Sequence, residues 1–321
     1  MEIITEDMID FSAYLKETDA QQNVRPAHEY VGELLNDLKN PDQTKKIYLP
    51  WDGTRDDFKI RPGETTLWAG TNGHGKSLVT GMVAMSLMAQ NEKVCIASFE
   101  MKPKVTLQRM LRQYAESNPF SYEYQGEQGI AALTDIYNEF ADWTKGRLWL
   151  YDQQGTVKAD QVIAVGRYCA KELGVTQYFV DSLSKCGIAE DDYNGQKNFV
   201  DELTSMARDN NIHAHLVHHL KKLSTENEIP GKFDSKGSGA IVDMVDNMMI
   251  VWRNKAKEDR RRAGKLLDPK DSDAAIFCRK QRNGDDEPMI KLWYDRDSTQ
   301  FVAYEGARPL YMPLYPHQRT Q

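Results

Sequence analysis

Residues 65–77 read TTLWAGTNGHGKS, a short apolar run that opens into a glycine-rich loop. Gly70, Gly75, Lys76 and Ser77 fill the pattern G-x-x-x-x-G-K-S/T, with Gly73 as an extra hinge. Each residue type suits one task. Glycines let backbone N–H groups turn inward around phosphates, a lysine at this spacing reaches the β- and γ-phosphates, and the hydroxyl that follows ligates Mg²⁺. The pattern is therefore read as a P-loop binding ATP through Gly70, Thr71, Asn72, Gly73, His74, Gly75, Lys76, Ser77 and Leu78. Its flanks agree: Thr65 to Ala69 read as a buried strand, and Leu78, Val79, Met82, Val83, Met85, Ser86 and Ala89 recur at helical spacing.

Outward from this loop, strand-like and helix-like segments alternate as a parallel α/β sheet requires. Strands are expected near 65–69, 93–99, 147–151, 177–181, 212–217, 246–252, 274–282, 289–294 and 299–303, and helices near 76–90, 103–117, 129–143, 158–173 and 196–210. The late strands lack intervening helices, which predicts antiparallel pairs at one edge. Residues 255–273 are charge-rich and apolar-poor and read as an exposed insertion. Residues 1–45 read as an N-terminal arm and 46–321 as the main domain. Within the arm, Pro26 opens a candidate helix over about 26–39 whose Tyr30, Val31, Leu34, Leu35 and Leu38 form one apolar stripe. That stripe can fold back on its own domain or dock on a neighbouring copy.

At 40% hydrophobic and 28% charged residues, the 321-residue chain has the composition of a soluble globular protein, with length for one large α/β domain plus an arm. Its first twenty residues are acidic, without the basic and apolar regions of a signal peptide, and no apolar run approaches membrane-spanning length. Cys95, Cys169, Cys186 and Cys278 form no C-x-x-C pair, so reduced thiols in a cytoplasmic compartment are expected. A net charge of -7 disfavours coating nucleic acid with the whole surface and leaves room for local basic patches.

Two acids close apolar runs, the place where parallel α/β sheets bind ligands. Asp181 ends QYFVD and is the candidate Walker B carboxylate for Mg²⁺; Glu100 ends VCIASFE and is the candidate to orient the attacking water. The cluster His213, His215, His218 and His219 invites a zinc reading, but no acid or cysteine stands at suitable spacing. An imidazole at the strand end can instead sense the phosphates. The polar segment that follows carries Lys221, Lys222, Lys232 and Lys236 and closes with Gly237 and Gly239, suited either to a phosphate backbone or to solvent. Further on, Asn283 and Gly284 signal a hairpin turn, with Lys280 and Arg282 near its tip available as cationic fingers for a neighbour's nucleotide.

With these pieces in order, residues 50–305 resemble the ATPase domain of hexameric replicative helicases of the DnaB-like and phage primase-helicase families, built on the RecA-type core. The resemblance rests on GTNGHGKS, ASFEMKPKVTLQRM, YFVDSLS, LVHHLKK, GSGAIVDMVDNMMIVWRN and CRKQRNG, six motifs in order. It implies that Lys76 and Ser77 bind nucleotide and Mg²⁺, that Glu100 is the catalytic carboxylate and Asp181 serves the metal, and that His219 is the γ-phosphate sensor. It also implies that Arg282, with Lys280 beside it, acts in trans as the finger, and that Lys185, Lys221, Lys222, Lys236, Gly237 and Gly239 lie on loops facing a channel for single-stranded DNA. The helix at 26–39 falls where these proteins carry a linker that docks on the next subunit.

The expected function is an ATP-dependent DNA helicase motor that moves 5′–3′ on single-stranded DNA as a hexameric ring, in a bacterial or phage-infected cytoplasm. No helical collar or primase domain precedes the motor, so a loader or primase acting in trans is expected. A RecA-type recombinase or a ring translocase that does not unwind is the alternative from the same core. Tyr304 is the candidate to stack on the base.

Overall fold

The computed structural model describes residues 2–4, 10, 39, 46–119, 121, 126–189, 191–220, 225, 228–234 and 240–314. Among the described residues ten strands form one sheet: β1 (Glu2–Ile4), β2 (Thr65–Gly70), β3 (Val94–Ser98), β4 (Leu148–Tyr151), β5 (Gln177–Asp181), β6 (His213–His219), β7 (Asn247–Arg253), β8 (Ala274–Gln281), β9 (Met289–Tyr294) and β10 (Phe301–Val302). Their spatial order is β1-β4-β3-β5-β6-β2-β7-β8-β9-β10. The strands from β1 to β7 in that order pair in parallel, and β7 to β10 pair antiparallel, as expected for the late strands, although a helix stands between β7 and β8 where none was expected.

Strand β2 is buried along its whole length and alternates faces: Leu67 and Ala69 enter one core, Trp68 the other. Period-2 alternation with both faces apolar is what a central parallel strand needs. The helices α1 (Lys76–Ala89), α2 (Pro103–Tyr114) and α3 (Gly126–Thr144) pack with Trp68, while α4 (Ala159–Leu173), α5 (Tyr193–Asp209) and the short α6 (Ala240–Met244) cover the other face. All four cysteines are free and buried, and no described helix is long and apolar enough to cross a membrane.

Two findings depart from the expectations. Residues 2–4, read as part of the arm, add a parallel edge strand against β4 in the register Glu2 to Trp149. Residues 255–273 are not a loose insertion: they begin with α7 (Lys255–Arg262), capped by Asn254, whose side chain accepts from Lys257 N. Lys257 is fully buried, its ammonium bonded to Asp273 at 3.0 Å, to Glu305 at 3.3 Å and to the Asp271 carbonyl. A buried cation survives when partners surround it, so a segment poor in apolar residues folds on ion pairs. The helix expected at 26–39 lies outside the described residues, apart from Lys39.

The histidine pair on β6 is structural. Trp68 Nε1 donates to His215 Nδ1 at 3.1 Å, His215 Nε2 donates to Gln177 Oε1 at 3.0 Å, and Gln177 Nε2 donates to Glu92 Oε2 at 2.9 Å. His213 donates from Nδ1 to the Arg61 carbonyl and accepts from Thr66 Oγ1 at 2.8 Å. Both rings use both nitrogens in the neutral form, and among the described residues no cluster of histidines, cysteines and acids is arranged for a metal, so the zinc alternative is set aside. Burial lowers both histidine pKa values, His215 well below its usual range. The unfolded chain therefore binds more protons below about pH 6.5, and stability falls as pH drops through that value, by up to about 1.4 kcal/mol per pH unit for each ring. His215→Leu leaves Trp68 Nε1 and Gln177 Oε1 unpaired and is expected to cost about 2–4 kcal/mol at pH 7 while flattening the acid slope. Urea unfolding of both proteins from pH 7.5 to 5 checks this.

Candidate nucleotide site

Parallel pairing brings four strand ends to one edge. Gly70 lies opposite His219 in the β2–β6 register, and Asp181 lies opposite Ser98 on β3 and Val217 on β6. The loop after β2, residue Glu100 after β3, Asp181 and His219 therefore share one rim.

The loop is built tightly. A Cβ at Gly70 would stand 2.6 Å from the Val251 carbonyl oxygen of β7, so only glycine lets these strands approach. Gly75 enters α1 at φ +86°, against the Phe301 ring, a backbone shape that suits glycine. Arg253, at the end of β7, holds the loop from outside: its N donates to His74 Nδ1 at 3.3 Å and its guanidinium to the Gly73 carbonyl at 3.1 Å. Asn72 and Gly73 stay exposed, and Thr71, Gly75, Ser77 and Leu78 are half-buried.

Lys76 is buried, its ammonium donating to the Gly70 carbonyl at 2.8 Å and the Thr71 carbonyl at 3.2 Å. Burial lowers its pKa to about 8, against the opposing pull of Asp181 and Glu100. Ser77 Oγ donates to Asp181 Oδ2 at 2.7 Å, so a hydroxyl and a carboxylate converge as a donor set that suits a hard divalent cation. Burial raises the Asp181 pKa, and the Ser77 bond opposes that rise. Glu100 Oε1 lies 3.5 Å from His219 Nε2 and accepts from Ser182 Oγ at 2.6 Å. The His219 contact foremost, then Ser182 and the charges of His219 and Lys185, hold Glu100 down to about 2 despite partial burial.

Beside the loop, a cavity of about 440 Å³ is lined by residues that include His74, Leu78, Arg253, Tyr294, Arg296 and Phe301. Tyr304, expected to stack on the base, is not among its lining residues and is 64% exposed. It follows the short β10 in a turn, so the aromatics available at the loop are Tyr294 and Phe301.

Lys280 and Arg282 do not join this rim. Arg282 follows β8 where Gln281 pairs with Asn247, the first residue of β7. Its guanidinium meets Asp246 at 2.8 Å, and Lys280 Nζ caps the carbonyls of Val242, Asp243 and Val245 at 2.8, 2.8 and 2.7 Å. Lys185 is half-buried in the turn after Asp181, on the Glu100 side. Lys221, Lys222, Lys236, Gly237 and Gly239 lie outside the described residues. Sequence reasoning missed Ser182, Arg253 and Tyr294. Of these, Ser182 carried a signal, since it directly follows the strand-ending acid.

A phosphate loop, a hydroxyl–carboxylate pair and a second carboxylate on the rim of a parallel sheet with an antiparallel edge define a P-loop ATPase domain of the RecA type. The chain belongs to the DnaB-like helicases: the sequence model of the DnaB-like helicase C-terminal domain matches residues 59–303. It is thus an ATP-hydrolysing helicase domain. Among solved structures, an isolated ATPase domain superposes with a TM-score of 0.72 at 15% identity, covering 88% of this chain and 100% of that one. A DnaB-like replicative helicase, studied with its interactions with primase, superposes at 0.70 and 15% identity, covering 87% of this chain and 67% of that one. Those two likenesses speak to the fold. No curated protein matches the sequence significantly.

The lowered Lys76 pKa has a measurable consequence. Phosphates favour the charged ammonium, so nucleotide binding above about pH 8 should take up close to one proton, and affinity should fall by up to about tenfold per pH unit beyond that point. Titration calorimetry at pH 8.5 in buffers of different ionisation enthalpy measures the uptake, and Lys76→Arg should abolish it.

Proposed function

We propose that the domain is the motor of a hexameric ring that moves 5′–3′ along single-stranded DNA and unwinds duplex at the expense of ATP. The observation that carries this reading is the 3.5 Å contact between His219 and Glu100, because β6 leads from that contact straight into the lysine-bearing segment 221–239. A DNA phosphate backbone held by Lys221, Lys222 and Lys236, with Gly237, Gly239 and the Lys185 turn beside it, would shift the root of that segment and so the ring that touches Glu100.

At the rim, each side chain has a step that its geometry allows. The P-loop amides from Gly70 to Leu78 cradle the phosphates of ATP, and Lys76 turns its ammonium from the Gly70 and Thr71 carbonyls to the transferred phosphoryl group. Ser77 and Asp181 would hold Mg²⁺, which when bound supplies charge relief on the phosphate oxygens. A carboxylate held near pH 2 is a weak base, so Glu100 serves chiefly to orient the attacking water and polarise it. The base would enter the cavity between Arg253, Tyr294 and Phe301.

Arg282 stands at the far end of the sheet. Asp246, which grips it, bonds Thr65 at the start of β2, and β2 must run to Gly70 before the loop begins, about 17 Å at about 3.3 Å per residue. A guanidinium cannot span that distance, so the phosphate Arg282 would relieve belongs to another copy, with Lys280 as its support. Primase or a loader acting in trans is the kind of partner suggested by the likeness to a replicative helicase studied with primase.

Single-stranded DNA is expected to raise the ATPase rate at least about tenfold, with little sequence preference and steep salt dependence. His219→Ala should keep basal hydrolysis within a few fold while losing most of that stimulation. Its Glu100, freed of its main partner, should show an acid limb in the rate profile moved up toward the ordinary range near pH 4. Rates that ignore DNA in the wild type, or stimulation intact in the variant, would contradict the coupling. Displacement of a strand from a forked duplex with a 5′ tail tests unwinding separately.

A further inference from the structure

We propose that Asp246 is the positioning residue of the trans finger: its carboxylate fixes the inner edge of Arg282 so that the outer edge faces a neighbouring copy's nucleotide. This rests on the shared-site reading above and extends it to a residue outside the rim.

The Asp246 side chain is 4% exposed and every contact it makes is directional. Oδ2 accepts from Thr65 N at 2.9 Å, which anchors the carboxylate to the first residue of β2. Oδ1 accepts from Arg282 Nη1 at 2.8 Å and from Arg208 Nη2 at 3.4 Å. The Asp246 carbonyl also accepts from Arg282 N at 2.9 Å, and Arg282 Nη2 reaches the Asp243 carbonyl at 3.3 Å. Backbone and side chain of Arg282 are thus both held by residues 243–246.

Arg282 nevertheless remains 42% exposed. A guanidinium carries five N–H donors in a rigid fork, and the bonds above use its two terminal nitrogens on the inner side. What stays open is a planar cationic edge whose direction is fixed by a buried anion. Fixed donors aimed at developing charge lower a barrier more than mobile ones, because nothing has to reorganise during the reaction. Lys280 strengthens the mount: its ammonium bonds three carbonyls at the carboxyl end of α6, the helix that follows segment 221–239. The finger is therefore tied on one side to β2 and on the other to the carboxyl end of α6.

The test is complementation between subunits, read as DNA-stimulated ATPase after co-assembly. Asp246→Asn keeps an acceptor for Thr65 N and removes the charge. Alone it should lose at least about tenfold in kcat with KM for ATP within about twofold, since its own P-loop is untouched. Mixed with Lys76→Ala protein, which has a dead P-loop and a sound finger, it should regain hydrolysis as fully as an Arg282→Ala plus Lys76→Ala mixture does. Asp246→Glu, which keeps the charge and moves it outward, carries the same mixture if the asparagine variant does not fold.

Rescue in the Arg282 mixture without rescue in the Asp246 mixture would overturn the proposal and leave the shared sites standing. Loss of nucleotide binding in both Asp246 variants would overturn it too, by showing that the carboxylate serves its own subunit's loop. A rise in rate on Asp246→Asn would mean that the pair restrains the finger instead. If neither mixture recovers, the shared-site reading fails and the proposal with it.

Discussion

Ser77 Oγ meets Asp181 Oδ2 across 2.7 Å although the residues stand 104 positions apart, and much of the site depends on that approach. It requires β2 and β5 to end at the same edge of the sheet on either side of β6, which parallel pairing supplies, with Gly70 opposite His219 and Asp181 opposite Val217. The same edge brings His219 against Glu100. The sheet itself is held by two apolar layers and by the neutral histidine chain near the opposite end of β2, so the polar rim is not asked to carry the fold.

That division separates two ends with different chemistry. The carboxyl ends carry the phosphate loop, the acids and His219, the proposed sensor. The amino ends carry Asp246 and Arg282, the proposed finger, which Asp246 ties to the first residue of β2. One six-residue strand therefore joins the proposed nucleotide site of a subunit to the residue proposed to serve its neighbour's. In a ring, such a strand is a mechanical link from one site to the next.

Much of this is legible in the sequence, for physical reasons that also mark the limits. Buried parallel strands announce themselves as apolar runs, and an acid ending such a run is conspicuous because it has no apolar reason to be there; Asp181 and Glu100 stand out that way. Residues 255–273 mislead because Lys257 is stabilised by Asp273 and Glu305, partners that composition cannot pair with it. His213 and His215 leave zinc open until Thr66, Trp68 and Gln177 account for their nitrogens. Tyr294, Arg253 and Asp246 carry no local pattern; each matters through a contact with a distant segment, and the tertiary fold alone brings those together. Tyr304 looks suitable by type and stands in an exposed turn.

The most direct measurement of the central claim, that copies share sites, is the DNA-stimulated ATPase rate of wild-type protein doped with increasing fractions of Arg282→Ala. Shared sites predict a rate that falls more steeply than the wild-type fraction, because each variant subunit also silences its neighbour. A strictly linear fall would contradict the claim and would leave Arg282 as a surface ion pair of its own subunit.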